Sequence, residues 1–181
     1  LPDKCTTATF PYPEEPVPGG YYFFQIGVKG LTGGHSGDDI NKKRANANKL
    51  LVRFLCDEME KTDLRLVDIQ SGGLHNAIPR EGRAVCAVPM DFKETLRIDL
   101  NVYQSVVSEE FAETEPSVVF TLESVPTHTL GMGSEAARRM LLSLRAVHNG
   151  VFAMSQELDW LVETSSNLAS IKKEGNSVVV T

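Results

Sequence analysis

The first sustained pattern in the chain is an alternation, with Tyr22, Phe24, Ile26 and Val28 interleaved with Phe23, Gln25, Gly27 and Lys29. A period of two predicts a strand with one apolar face. The alternation gives way to a glycine-studded stretch, Gly30-Leu31-Thr32-Gly33-Gly34-His35-Ser36-Gly37, which reads as a loop. Asp38 and Asp39 are plausible caps for a helix reaching about Lys61, in which Leu50, Leu51, Phe54, Leu55 and Met59 share one face. Strands are predicted over 64–69 and 83–88, separated by a second loop, Ser71 to Arg80, that is also rich in glycine. Asp91 and Glu94 have the spacing of a capping box. Phe92, Leu96, Leu100, Tyr103, Val107 and Phe111 recur in steps of three and four, which predicts a long helix. Val118, Phe120 and Leu122 mark a fourth strand. The order strand, helix, strand, strand, helix, strand is that of the ferredoxin-like split βαβ fold, an α+β class with two helices on one face of an antiparallel sheet.

After Gly133 the pattern restarts in part. Ser134 is placed to cap a helix whose Ala137, Met140, Leu141 and Leu144 face inward, and Asn149-Gly150 ends it. Strands are expected over 151–155 and 161–171, and Glu174-Gly175-Asn176 turns into a last one at Ser177–Thr181. Residues 1–20 hold five of the nine prolines and read as an irregular linker. The expected division is therefore that linker, a first ferredoxin-like unit over 21–125, and a partial second unit over 126–181, cut short at its C-terminal end.

Charge narrows the partners. The net charge of −6 is spread along the chain, and the one dense basic cluster, Lys42-Lys43-Arg44, reads as a solvated helix face, so nucleic-acid binding is not expected. Apolar runs are too short to span a bilayer as a helix, so no membrane partner is expected either. The cysteines Cys5, Cys56 and Cys86 are odd in number and far apart. Cys56 and Cys86 fall in apolar patterns, which suits reduced core thiols in a cytoplasmic protein.

Three features bear on chemistry. His35 sits among glycines between a strand and a helix, where backbone can approach a ligand and the imidazole can donate to a carbonyl or oxyanion; the plainer reading is a loop histidine facing water. Asn76 could donate its amide to a substrate carboxylate or simply close a turn, and His75 beside it reads as a spectator. The third feature is an absence. His35, His75, His128 and His148 are scattered singly, with no His-Glu-x-x-His, Cys-x-x-Cys, phosphate loop or Gly-x-Ser-x-Gly elbow, so no complete active site and no metal site is expected in this chain. Glu14-Glu15 and Glu109-Glu110 read as solvated pairs.

Four stretches in register carry a resemblance: Gly30 to Gly37, Asn46 to Leu55, Gly73 to Glu81, and Leu161 to Asn167. Together they closely resemble the aminoacyl-histidine (Xaa-His) dipeptidases, also called cytosol non-specific dipeptidases, which are di-zinc peptidases of bacteria. The resemblance implies a lid domain, with the two zinc ions held by a catalytic domain outside this chain. It implies that His35 contacts the scissile carbonyl and the developing oxyanion, that Asn76 contacts the substrate's C-terminal end, and that Gly33 and Gly34 belong to the substrate-binding loop. The implied partners are the protein's own catalytic domain, a dipeptide and a second subunit. Two other readings stay open at this point: an amino-acid-binding regulatory module, and a pure oligomerisation domain.

Overall fold

The computed structural model describes residues 4–181. Its strands are β1 (Ala8–Pro11), β2 (Glu14–Pro16), β3 (Tyr21–Lys29), β4 (Gly34–His35), β5 (Arg65–Gly72), β6 (Ala77–Ile78) and β7 (Gly82–Pro89), followed by β8 (Val119–Ser124), β9 (Leu130–Met132), β10 (Gly150–Met154), β11 (Val162–Ser166), β12 (Ser170–Glu174) and β13 (Ser177–Val180). The α-helices are α1 (Ala47–Met59), α2 (Lys93–Glu110) and α3 (Ser134–Ala146).

The expected βαββαβ unit is present as β3-α1-β5-β7-α2-β8, and its strands lie side by side in the order β5-β7-β3-β8, all antiparallel. The alternation in β3 decides which face is buried. Tyr22, Phe24, Ile26 and Val28 join Leu51, Phe54 and Leu55 of α1 and Leu96, Leu100 and Val107 of α2 in one core. Phe23 points the other way, into a small cluster with Val67 and Ala87.

The last third of the chain, together with β1, extends this sheet. Strands β12, β13 and β1 continue it beyond β5 to give β1-β13-β12-β5-β7-β3-β8, and α3 places Ala137, Met140, Leu141 and Leu144 in the same core. Residues 126–181 thus share sheet and core with residues 21–125. Lys49 of α1 donates to the carbonyls of Leu144, Arg145 and Val147, placing an ammonium at the negative end of α3.

Several local expectations are corrected. Residues 8–16 are not irregular: β1 pairs with β13, and β2 pairs with β9. Pro11 and Pro16 fall at strand ends, where no ladder donor is needed. Helix α1 begins not near Asp39 but at Ala47, because Lys43 adopts a left-handed φ of 55° that no continuous helix allows. Its cap is Asn46, whose side-chain oxygen accepts from the N–H groups of Asn48 and Lys49. Neither Asp91 nor Ser134 makes a side-chain cap. Glu15 serves α3 instead, its carboxylate accepting from Ser134 N at 3.0 Å and Ser134 Oγ at 3.1 Å, and these bonds hold its carboxyl below the usual range. Glu15 and Glu110 are not merely solvated, since Glu15 also meets Arg65 and Glu110 meets Arg53 at 2.9 Å. The predicted strand over 161–171 is two strands, β11 and β12, separated by Asn167-Leu168-Ala169. Cys56 and Cys86 are buried free thiols, each pushed up by desolvation, and Cys5 is exposed and free.

Candidate functional site

The two glycine-rich loops meet. Gly34 and His35 pair antiparallel with Ile78 and Ala77, as β4 and β6, and Ser36 N donates to Asn76 O at 2.9 Å. His35 and Asn76, more than forty residues apart in sequence, are therefore neighbours on one ribbon.

The ribbon requires glycine where it bends. Gly33 (φ 63°) and Gly34 (φ 143°) occupy backbone conformations that side chains resist. A Cβ at Gly33 would run into the Arg80 side chain, and one at Gly34 into Asp39 and Arg44. Arg44 in turn donates to Gly33 O and lies 3.4 Å from Asp39. Asp39 accepts from His35 N at 2.8 Å and binds Lys42. The Lys42 contact and the His35 bond hold the Asp39 carboxyl below its ordinary value.

The His35 imidazole is 47% exposed. Its Nδ1 accepts from Gly37 N at 3.1 Å, which leaves the proton of the neutral ring on Nε2. Asp38 lies 3.7 Å from Nδ1 and is itself 89% exposed.

A cleft of about 820 Å³ opens beside the ribbon. Asn76, His75, Ser36 and Gly37 line one side of it, and His148 and Glu163 another; His35 itself is not among its lining residues. The β10–β11 hairpin that borders the cleft is anchored by asparagines. Asn46 Nδ2 donates to Asn149 Oδ1 at 2.8 Å, Asn167 Oδ1 at 3.2 Å and Leu168 O at 3.0 Å, and Asn167 Nδ2 donates to Ala77 O at 2.8 Å. One amide cluster thus ties the start of α1 to both feet of the hairpin and to the Asn76 loop. Sequence reasoning gave Asn149 only a helix-ending role and gave Asn46 and Asn167 none, although these two lie in two of the stretches that carried the resemblance. Among the described residues, no group of three or more His, Cys, Asp or Glu side chains comes together that could hold a metal ion.

This fold and its paired loops define a class. Residues 26–115 match the Peptidase dimerisation domain family, and the chain belongs to that family. The particular relatives are dipeptidases. The chain is 40% identical over 166 residues to the cytosol non-specific dipeptidase of Escherichia coli (strain K12), covering 92% of this chain and 34% of that protein. It superposes with a TM-score of 0.93 and 38% identity on the aminoacylhistidine dipeptidase of Vibrio alginolyticus, covering 96% of this chain and 36% of that one. The chain therefore spans about a third of the length of these relatives. No α-helix among the described residues is long and apolar enough to cross a membrane.

Proposed function

We propose that this chain is the substrate-capping lid domain of a dipeptidase that hydrolyses Xaa-His and other unblocked dipeptides, and that His35 donates to the scissile carbonyl oxygen. The observation that carries the reading is the His35 ring, whose Nδ1 accepts from the Gly37 N–H and whose Nε2 meets no acceptor among the described residues. As a peptide carbonyl is attacked, negative charge grows on its oxygen, and a donor already fixed in place binds that oxygen more strongly as it does so. Asn76, on the paired loop and facing the cleft, would contact the substrate's C-terminal end, with the Gly33-Gly34 backbone alongside.

The catalytic domain, as the other partner, would join at one end of the sheet. Ala8 pairs with Val180, and both line the cleft with Asn76. The two zinc ions implied by the resemblance would belong to that domain. On this reading the chain alone hydrolyses nothing and the whole protein is cytoplasmic, as the name of the Escherichia coli relative supports.

The test is His35→Ala in the full-length protein, assayed on β-alanyl-histidine and α-dipeptides. Turnover is expected to fall about 10²–10³-fold, with zinc content unchanged. Turnover within a few-fold of wild type would sink the oxyanion role.

A second, compatible reading is that two copies pair through α2 and β8. Ile98, Val102 and Val106 form an exposed aliphatic stripe along α2, and Val119 is exposed on β8, an outer strand of the sheet. Val102→Glu is expected to convert a dimer to monomers in sedimentation velocity. A dimer that survives both Val102→Glu and Val106→Glu would place the contact elsewhere.

A further inference from the structure

The stretch that carries His35 leaves the core at Leu31 and returns at Ala45, and one buried carboxylate holds both ends. Glu115 is 1% exposed. Its Oε2 accepts from Thr32 N at 2.6 Å and its Oε1 from Ala45 N at 2.9 Å. Among the described residues no cation forms an ion pair with it, so this charge is spent on main chain alone. The neighbouring residue adds two more ties. Thr114 O accepts from Thr32 Oγ1 at 3.0 Å, and Thr114 Oγ1 donates to Lys43 O at 3.3 Å.

Glu115 is itself rigidly held. Its N–H donates to Phe111 O at 2.8 Å, one turn beyond the end of α2, and its carbonyl accepts from Val118 N at 3.2 Å. A desolvated carboxylate is tolerated only where donors meet it, and here both donors belong to the loop that bears the imidazole. The span between the two anchored amides contains His35, the Gly37 N–H that fixes its tautomer, and Asp39, which holds its backbone.

We propose that Glu115 is a positioning residue for His35, setting the reach of the Nε2–H donor by fixing both ends of its loop to the turn that follows α2. The proposal rests on the functional reading of His35 given above. It predicts a fault in geometry, and such faults lower turnover more than substrate affinity.

The experiment is a double-mutant cycle of Glu115→Gln and His35→Ala in the full-length protein, with 15N spectra of the His35 ring. Glu115→Gln keeps the side chain's shape but turns an NH2 group toward one of the two amides. We expect kcat to fall about tenfold or more with KM nearly unchanged, no further fall when His35 is already alanine, and displaced His35 ring signals. Equal losses in both backgrounds, or unmoved ring signals, would overturn the proposal. Should His35→Ala alone leave turnover intact, the oxyanion reading fails, and the ring signals still decide whether Glu115 positions His35. If Glu115→Gln does not fold, Thr114→Val removes one tie and is expected to move the same signals by less; unmoved signals there overturn the proposal equally.

Discussion

Two segments of this domain project toward the same cleft and are held in opposite ways. The His35 loop is fastened by polar bonds at nearly every turn: Glu115 at both ends, Asp39 and Arg44 within it, and the β4–β6 pairing across its tip. The β10–β11 hairpin is held at its feet by the asparagine cluster, while Phe152 (60% exposed), Leu158 (44%) and Trp160 (71%) face outward. The difference bears on the function proposed above. On that reading the His35 donor has to meet a reacting atom, which needs a fixed backbone, and hydrogen bonds within the chain supply it. Phe152 meets the His148 ring with centroids 3.6 Å apart, but an apolar tip exposed to this degree gains nothing from water.

The contrast can be broken most severely at the residue both segments share. Asn46 is 3% exposed and serves as helix cap and hairpin anchor together. Asn46→Ala is expected to destabilise the chain by about 2–4 kcal/mol, the sum of a lost cap and stranded buried partners, measured by urea unfolding. Gly34→Ala strikes the loop alone, forcing a side chain to φ 143° against Asp39 and Arg44. A loss of about 1–3 kcal/mol is expected, with hairpin amide shifts unmoved in an NMR spectrum.

Acid sharpens the comparison without mutation. The Asp39 carboxyl is lower in the folded chain than its ordinary 3.8, so its contribution is full above that pH and is lost as pH falls through the folded value. Below about pH 4 the His35 backbone amide should lose hydrogen-exchange protection before the hairpin ladder does; simultaneous loss would show that Asp39 is not the fastener. The smallest effect is expected at the hairpin tip, where Trp160→Ser should change stability by no more than about 0.5 kcal/mol. A larger loss would mean that the indole is packed within the chain after all.

Much of the frame was legible in residue order, because the periods of two and three-to-four along Tyr22–Val28 and Phe92–Phe111 are written by burial itself. His35 and Asn76 stood out as candidates from their glycine-rich settings, and the roles proposed for them come from the family resemblance. Their adjacency was not, since a two-residue ribbon such as β4–β6 leaves no period to read. Glu115 escaped for a related reason. It follows α2 with no pattern around it, and its meaning lies in two backbone amides seventy or more residues away. The irregular reading failed over residues 8–16 because proline excludes a central strand but not the end of an outer one. Asp39 looked like a helix cap by type and place, and the left-handed Lys43 turned it into a loop fastener instead.

The two borders of the seven-stranded sheet are unequal, and this constrains how copies could accumulate. Strand β1 is four residues long and ends in Pro11, which has no N–H to offer a newcomer. Strand β8 is longer, Val119–Ser124, and has neither proline nor lysine to discourage addition. Growth by strand addition is therefore favoured at one border only. Two copies joined there about a twofold axis would present a proline-ended border on each flank, so the assembly would terminate at a pair and not run on into a fibre.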